Sequence, residues 1–358
     1  MISSRIISAS LSPNAEKEDV LAALRILFQP ARWISGSGRQ AVETWFAKYF
    51  GNSQALTFNS GRSALYAILR AFGIGTGDEV LVQAFTCVAV PNSVLWTGAK
   101  PVYVDIDDTL NLDPAEAERK ISKRTRALVV QHTFGTPADM EKLLAIARKH
   151  RLLVIEDCAH SLGAVHNGRK VGAFGDAACF SFGRDKAVSS VFGGLALVAV
   201  RHDAAWKRLK ELHSRAPYPT GFWVLQQILH PIAFAVILPL YRLGVGKGLL
   251  FALQKLRLLG FPVYAEEKEG RRPSVFPGKY PNALAVLLVH QLKKLERFNA
   301  GRRARSASGR GARTRRRRAR PRRGRGSSTR PCRGATRARA RARARPAGRA
   351  GRWSAPSS

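Results

Sequence analysis

Residues 127–160 read ALVVQHTFGTPADMEKLLAIARKHRLLVIEDCAH, and their pattern decides the fold. ALVVQH (127–132) and LVIED (153–157) are continuous apolar runs, the signature of strands covered on both faces. Between them, Ala138 to His150 carries apolar residues at three- and four-residue spacing, which predicts a helix. Working outward, VLVQ (80–83), VYVDI (102–106), CFSF (179–182) and LALVAV (195–200) read as further buried strands. Helices are expected over Ser63–Phe72, Pro91–Trp96, Pro114–Ile121 and Asn282–Phe298, the last with Leu284, Leu287, Leu288, Leu292 and Leu295 on one face. Repeated β-α units imply an α/β domain whose mostly parallel central sheet is covered by helices. GIGTGDE (73–79) lacks the last glycine of a GxGxxG motif and precedes a strand, so it reads as a turn.

Ligands of open α/β folds sit outside the carboxyl ends of the strands, so the polar residues there carry the candidate chemistry. In Asn59-Ser60-Gly61-Arg62-Ser63, free N–H groups at a helix start, with the Ser63 hydroxyl and Arg62 guanidinium, suit a phosphate; an ordinary N-cap gives the same pattern. Asp157 ends an apolar strand, where a carboxylate can hold a cationic ring nitrogen, and His160 follows three residues later. In Ser181-Phe182-Gly183-Arg184-Asp185-Lys186, Lys186 follows a buried strand and is a candidate imine-forming amine, or else a solvated charge. Ser181 could add a hydroxyl to a phosphate site. Phe85-Thr86-Cys87-Val88-Ala89 could wall a flat cofactor or fill core.

NSGRSALYAIL, FTCVAVPNSVLWTGAKPVYVDID, VVQHTFGTPADM, VIEDCAHSLGA and CFSFGRDKAVSSVFGG, in this order and spacing, resemble the DegT/DnrJ/EryC1/StrS aminotransferases over roughly residues 14–300. The resemblance implies a fold-type-I transferase that uses pyridoxal 5'-phosphate and works as a homodimer. Its reaction moves an amino group from an amino acid, commonly glutamate, to a keto sugar carried on a nucleotide. It makes Lys186 the residue that forms an imine with the cofactor and shuttles protons, and Asp157 the partner of the pyridinium nitrogen. His160 would lie beside the ring oxygen, and Ser181, Arg62 and Ser63 fall on phosphate-binding positions. Cys87 stands where many members place a stacking aromatic ring, so that contact is expected to be absent or replaced. No metal site is expected.

Charge divides the chain. Of 60 basic and 24 acidic residues, 22 Arg and no acid fall in residues 301–358, which leaves +14 of the net +36 for residues 1–300. The two parts are read as a large aminotransferase domain (1–300) and an Arg/Ala/Gly-rich tail (301–358) expected to be disordered, since it holds no Leu, Ile, Val, Phe, Met or Tyr to bury. The tail stands where the family has a small C-terminal domain, which is expected to be absent and its loss to impair turnover. Its 22 Arg, 12 Ala, 8 Gly and 4 Pro have codons that can begin with two G or C bases, which points to an out-of-frame reading. The rival reading is a genuine arm binding nucleic acid non-specifically, making the chain an inactive regulatory or nucleic-acid-binding module.

Cys87, Cys158, Cys179 and Cys332 form neither a CxxC pair nor a metal-ligand spacing, and no secretory signal opens the chain, so a cytoplasmic location is expected and a disulfide scaffold is excluded. Residues 222–258 look like a hydrophobic insertion. Gln226, Gln227, His230, Pro231 and Pro239 interrupt its apolar run, so packing between subunits, or contact with an anionic membrane surface, is expected before a membrane span.

Overall fold

The computed structural model describes residues 14–318, with side chains to Ser306. Two helices open this part, α1 (Lys17–Leu27) and α2 (Gly38–Phe50), followed by strand β1 (Ser53–Phe58). Helix α3 (Gly61–Ala71) begins where the Ser60 hydroxyl accepts from Ser63 N. Its apolar residues Leu65, Ile68 and Leu69 are buried, each contributing about 1.5–3 kcal/mol by leaving water. A β-α alternation follows: β2 (Glu79–Gln83), α4 (Ala89–Leu95), β3 (Lys100–Val104), α5 (Pro114–Arg119), β4 (Thr125–Gln131), α6 (Met140–His150) and β5 (Leu153–Asp157). A small hairpin, β6 (Val165–His166) and β7 (Arg169–Lys170), precedes β8 (Ala177–Ser181) and β9 (Gly194–Ala199). Residues 73–79 form the expected turn, with Gly75 N donating to Asp78 Oδ2 at 2.9 Å.

The seven-stranded sheet runs β1-β9-β8-β5-β4-β2-β3. Strands β2, β3, β4, β5 and β8 pair parallel, whereas β9 pairs antiparallel with both β8 and β1. LALVAV therefore departs from the expected parallel pairing. The chain between β8 and β9 holds no helix to carry it across the sheet, so it returns beside β8 in the opposite sense. Continuous apolar runs reflect burial on both faces: Val80, Val82, Val129 and Ile155 pack on the α3 side, while Leu81, Leu128, Val130 and Val154 meet Met140 and Leu143 of α6.

After α7 (Asp203–Arg215) comes α8 (Gly221–Leu240), capped by the Thr220 hydroxyl on Trp223 N and continuous through Pro231 and Pro239. The polar and proline residues expected to interrupt this run do not break it, because Gln227, His230 and Pro231 are turned into the protein. By length and composition Gly221–Leu243 could cross a bilayer, yet 44% of its most apolar window is buried inside the protein. Helices α9 (Val245–Lys255) and α10 (Ala265–Lys268) follow, then α11 (Asn282–Leu292) and α12 (Leu295–Arg318). The expected helix over 282–298 is thus divided at Lys293-Lys294, with all five of its leucines buried. Residues 301–318, expected to be disordered, continue α12; Ala and Arg are strong helix formers. The rest of the tail, its out-of-frame reading and Cys332 lie outside the described residues.

Candidate active site

The end of β5 places two acids on opposite faces of the sheet. Glu156 is wholly buried; its Oε1 accepts from Phe174 N and Gly175 N, both at 2.7 Å, and its Oε2 from Gly172 N at 2.8 Å. His132 Nε2 lies 3.1 Å from the same Oε2, and because His132 Nδ1 accepts from Ala138 N, Nε2 carries the ring proton. Ligand atoms of His132, Glu156 and Cys158 fall within 4.8 Å of one another, but those of the first two are occupied by these hydrogen bonds. Asp157 faces the other way. Its Oδ1 accepts from Ala159 N at 3.0 Å and lies 3.8 Å from Cys179 Sγ, a turn that brings His160 round.

Lys186 sits in the loop joining β8 to β9, which is tied by Phe182 N to Gly193 O at 2.9 Å and by Lys186 N to Gly183 O at 3.1 Å. Its Nζ donates to Asp185 Oδ2 at 2.9 Å and lies 3.1 Å from His160 Nε2. Burial, and then the Lys186 charge, lower the proton affinity of His160, so its ring is neutral and Nε2 accepts from the amine. Burial pushes the Asp185 carboxyl up, but the Lys186 charge and hydrogen bond outweigh it and hold it below the usual carboxylate range. The His160 ring stacks on Phe134, centroids 5.6 Å apart and planes 13° from parallel, and its Nδ1 is buried without a partner.

At the start of α3, Ser63 is fully buried and its Oγ donates to Asn59 Oδ1 at 2.7 Å, so it supports the turn from behind. Arg62 is paired with the buried carboxylate of Glu267, donates to Pro262 O at 2.9 Å and lies over the Phe276 ring at 5.1 Å. Its charge is therefore committed to the segment after α9. Ser60 and Gly61 approach β8 and β9 so closely that a Cβ on Gly61 would stand 2.8 Å from Ser181 Cβ, and one on Gly194 would stand 2.2 Å from Ser60 O. Among the described residues Gly61 N and Arg62 N make no hydrogen bond.

These elements enclose a cavity of about 330 Å³ lined by Ser60, Arg62, Cys87, Asp157, Ser181 and Lys186, among others. Five of the seven residues singled out in the sequence thus line one space, His160 joins it through Lys186, and Ser63 does not face it. Asp185 is the participant the sequence does not single out, whereas Ser60 and Gly61 belong to the helix start read there as a phosphate site or an N-cap. The set could hold a phosphorylated, aldehyde-bearing pyridine, offering hydroxyl and N–H donors to a phosphate, a carboxylate to a ring nitrogen and an amine to a carbonyl. The volume also suits a molecule of that size.

Fold and site define a pyridoxal-phosphate aminotransferase scaffold. The sequence profile of the DegT/DnrJ/EryC1/StrS aminotransferase family matches residues 14–222, and the chain belongs to that family, whose members depend on pyridoxal phosphate. The GDP-perosamine synthase of Caulobacter vibrioides is 46% identical over 166 residues, 46% of this chain and 45% of that protein. A UDP-N-acetyl-3-dehydro-alpha-D-glucosamine 3-aminotransferase of Acidithiobacillus ferrooxidans is 39% identical over 207 residues, 57% of this chain and 55% of that protein. The chain thus spans about half the length of the curated relatives it matches. The crystal structure of DesV from S. venezuelae superimposes with a TM-score of 0.59 at 29% identity, covering 81% of this chain and 65% of that one.

Proposed function

We propose that the protein transfers an amino group from an amino acid, glutamate in the first instance, to the keto group of a nucleotide-linked sugar, acting as a homodimer. The observation that carries this reading is the Lys186 amine, held at 3.1 Å by a neutral His160 and at 2.9 Å by Asp185 in a cavity that Asp157 also lines. Pyridoxal phosphate bound there would supply the electron sink on which an amino acid loses and a keto sugar gains an amino group.

This chain's own residues do the rest. Asp157 offers its carboxylate to a cationic ring nitrogen, while Gly61 N, Arg62 N and the Ser181 hydroxyl are placed for a phosphate. Arg62 serves by holding Glu267 and the segment beside it, not by lending its charge. His160 Nε2 and Asp185 Oδ2 fix the Lys186 Nζ position, and their hydrogen bonds give it somewhere to pass a proton during each half of the exchange. Cys87 at the cavity wall supplies a small, polarisable surface where an aromatic ring is common.

The test is a half-reaction needing no sugar. Mixed with pyridoxal phosphate and glutamate, the protein should show a visible cofactor band that converts to the pyridoxamine form. A band that never forms with pyridoxal phosphate overturns the site, whereas a band unmoved by any amino acid overturns the transaminase reading.

A further inference from the structure

We propose that the α8–α9 hairpin docks the protein on an anionic lipid bilayer. The inner side of α9 is satisfied: Leu249, Leu250 and Leu253 pack with Phe234 and Ile237 of α8. Gly246 makes that contact tight, since a Cβ there would meet Ile237 O at 2.4 Å. The rest of this segment is less well covered. Leu243, Val245, Phe251, Leu256 and Phe261, on α9 and the chain on either side of it, are 73%, 59%, 67%, 67% and 60% exposed, five large apolar side chains within one short stretch of chain. A monomeric surface seldom leaves so many together without a function.

Charge selects the occupant. Lys247, Lys255 and Arg257 are exposed among these apolar residues, and no Asp or Glu occurs from residue 212 to residue 265. A second copy meeting this face symmetrically would bring the same cations together, and the stretch itself supplies no carboxylate to offset them. A bilayer surface supplies both requirements, an apolar layer for Phe251 and Leu256 and anionic head groups for the cations beside them. Trp223, Val224 and Ile228 of α8 are built into the main core, which favours a surface contact over a span. Docking also bears on the cavity: exposed Phe261 immediately precedes Pro262 and Val263, which line it, and Gly260 O accepts from Arg184 Nη1 at 2.8 Å. The inference rests on this surface and is independent of the aminotransferase reading.

The experiment is co-sedimentation of the full chain with phosphatidylglycerol-containing vesicles and with pure phosphatidylcholine vesicles. The Arg-rich tail also attracts anionic vesicles, so binding is read at low salt and at about 0.5 M salt, where surface attraction is largely screened. The parent should prefer phosphatidylglycerol at low salt and keep measurable binding at high salt. Phe251→Asp with Leu256→Asp should lower high-salt partitioning at least tenfold, and Lys247→Gln with Lys255→Gln should lower low-salt partitioning by roughly fivefold per cation. Circular dichroism checks folding, with Phe251→Ser and Leu256→Ser as a milder pair should the charged one unfold. The proposal fails if parent and Phe251/Leu256 variants bind vesicles alike, or if high salt abolishes all binding. It also fails if the variants leave vesicle binding unchanged but shift the sedimentation coefficient, which would assign this face to another protein chain.

Discussion

Lys186 is the residue on which the proposed chemistry turns. Lys186→Ala should abolish the visible cofactor band and cut turnover by roughly 10²–10⁴-fold, read by absorbance and by the glutamate half-reaction. Its neighbours show what a sequence can and cannot reveal about a site. The cavity positions of Asp157 and Lys186 are legible because Asp157 closes a buried strand and Lys186 lies in the loop that follows another, and strand ends face the ligand crevice. Arg62 and Ser63 were not separable, because successive residues on a helix point about 100° apart, and only the packing of Asn59 and Glu267 decides which faces the cavity. A second residue, His213, reports on stability. Burial first, then the charges of Arg39 and Lys279, push its pKa down to about 4, against about 6.5 in an unfolded chain. The unfolded state then binds the extra proton between these values, so stability is full above pH 6.5 and falls as pH drops towards 4, by about 3 kcal/mol at most. Denaturant midpoints from pH 7 to 4.5 should show this slope, and His213→Leu should flatten it.

At the scale of elements, β9 and the start of α3 are interlocked. Gly194→Ala would drive a methyl group into the Ser60 carbonyl, so it should cost about 1–3 kcal/mol of stability and weaken pyridoxal-phosphate binding at least tenfold, measured by denaturation and cofactor titration. The direction of β9 was hidden in the sequence, since a run such as LALVAV records burial on two faces but not chain sense. Strand β1 is hard to see in the sequence because SQALTF is short and opens with polar residues. In the sequence helix α8 looks interrupted, because Gln227, His230 and Pro231 resemble breaks until their burial is known. The βαβ run from Thr125 to Asp157 was legible because both strands and the helix carry unambiguous periods.

For the whole molecule, charge and fold separate. Removing residues 319–358 takes away 13 Arg and no acid. The shortened chain should keep its unfolding midpoint and cofactor band, and should lose any salt-sensitive retention on DNA, measured by a salt titration of filter binding. Persistent DNA binding would instead place it on the folded part. Finally, the Arg62–Glu267 pair makes residues 221–270 a poor candidate for transplantation. A chimera that moved this segment into a relative without arginine at the corresponding helix start would strand Glu267 as a buried, unmatched anion. A chimera that removed it here would release the Arg62 guanidinium beside the cavity. The segment and the helix start are heritable only together, so any natural exchange of this region must carry both ends of that ion pair.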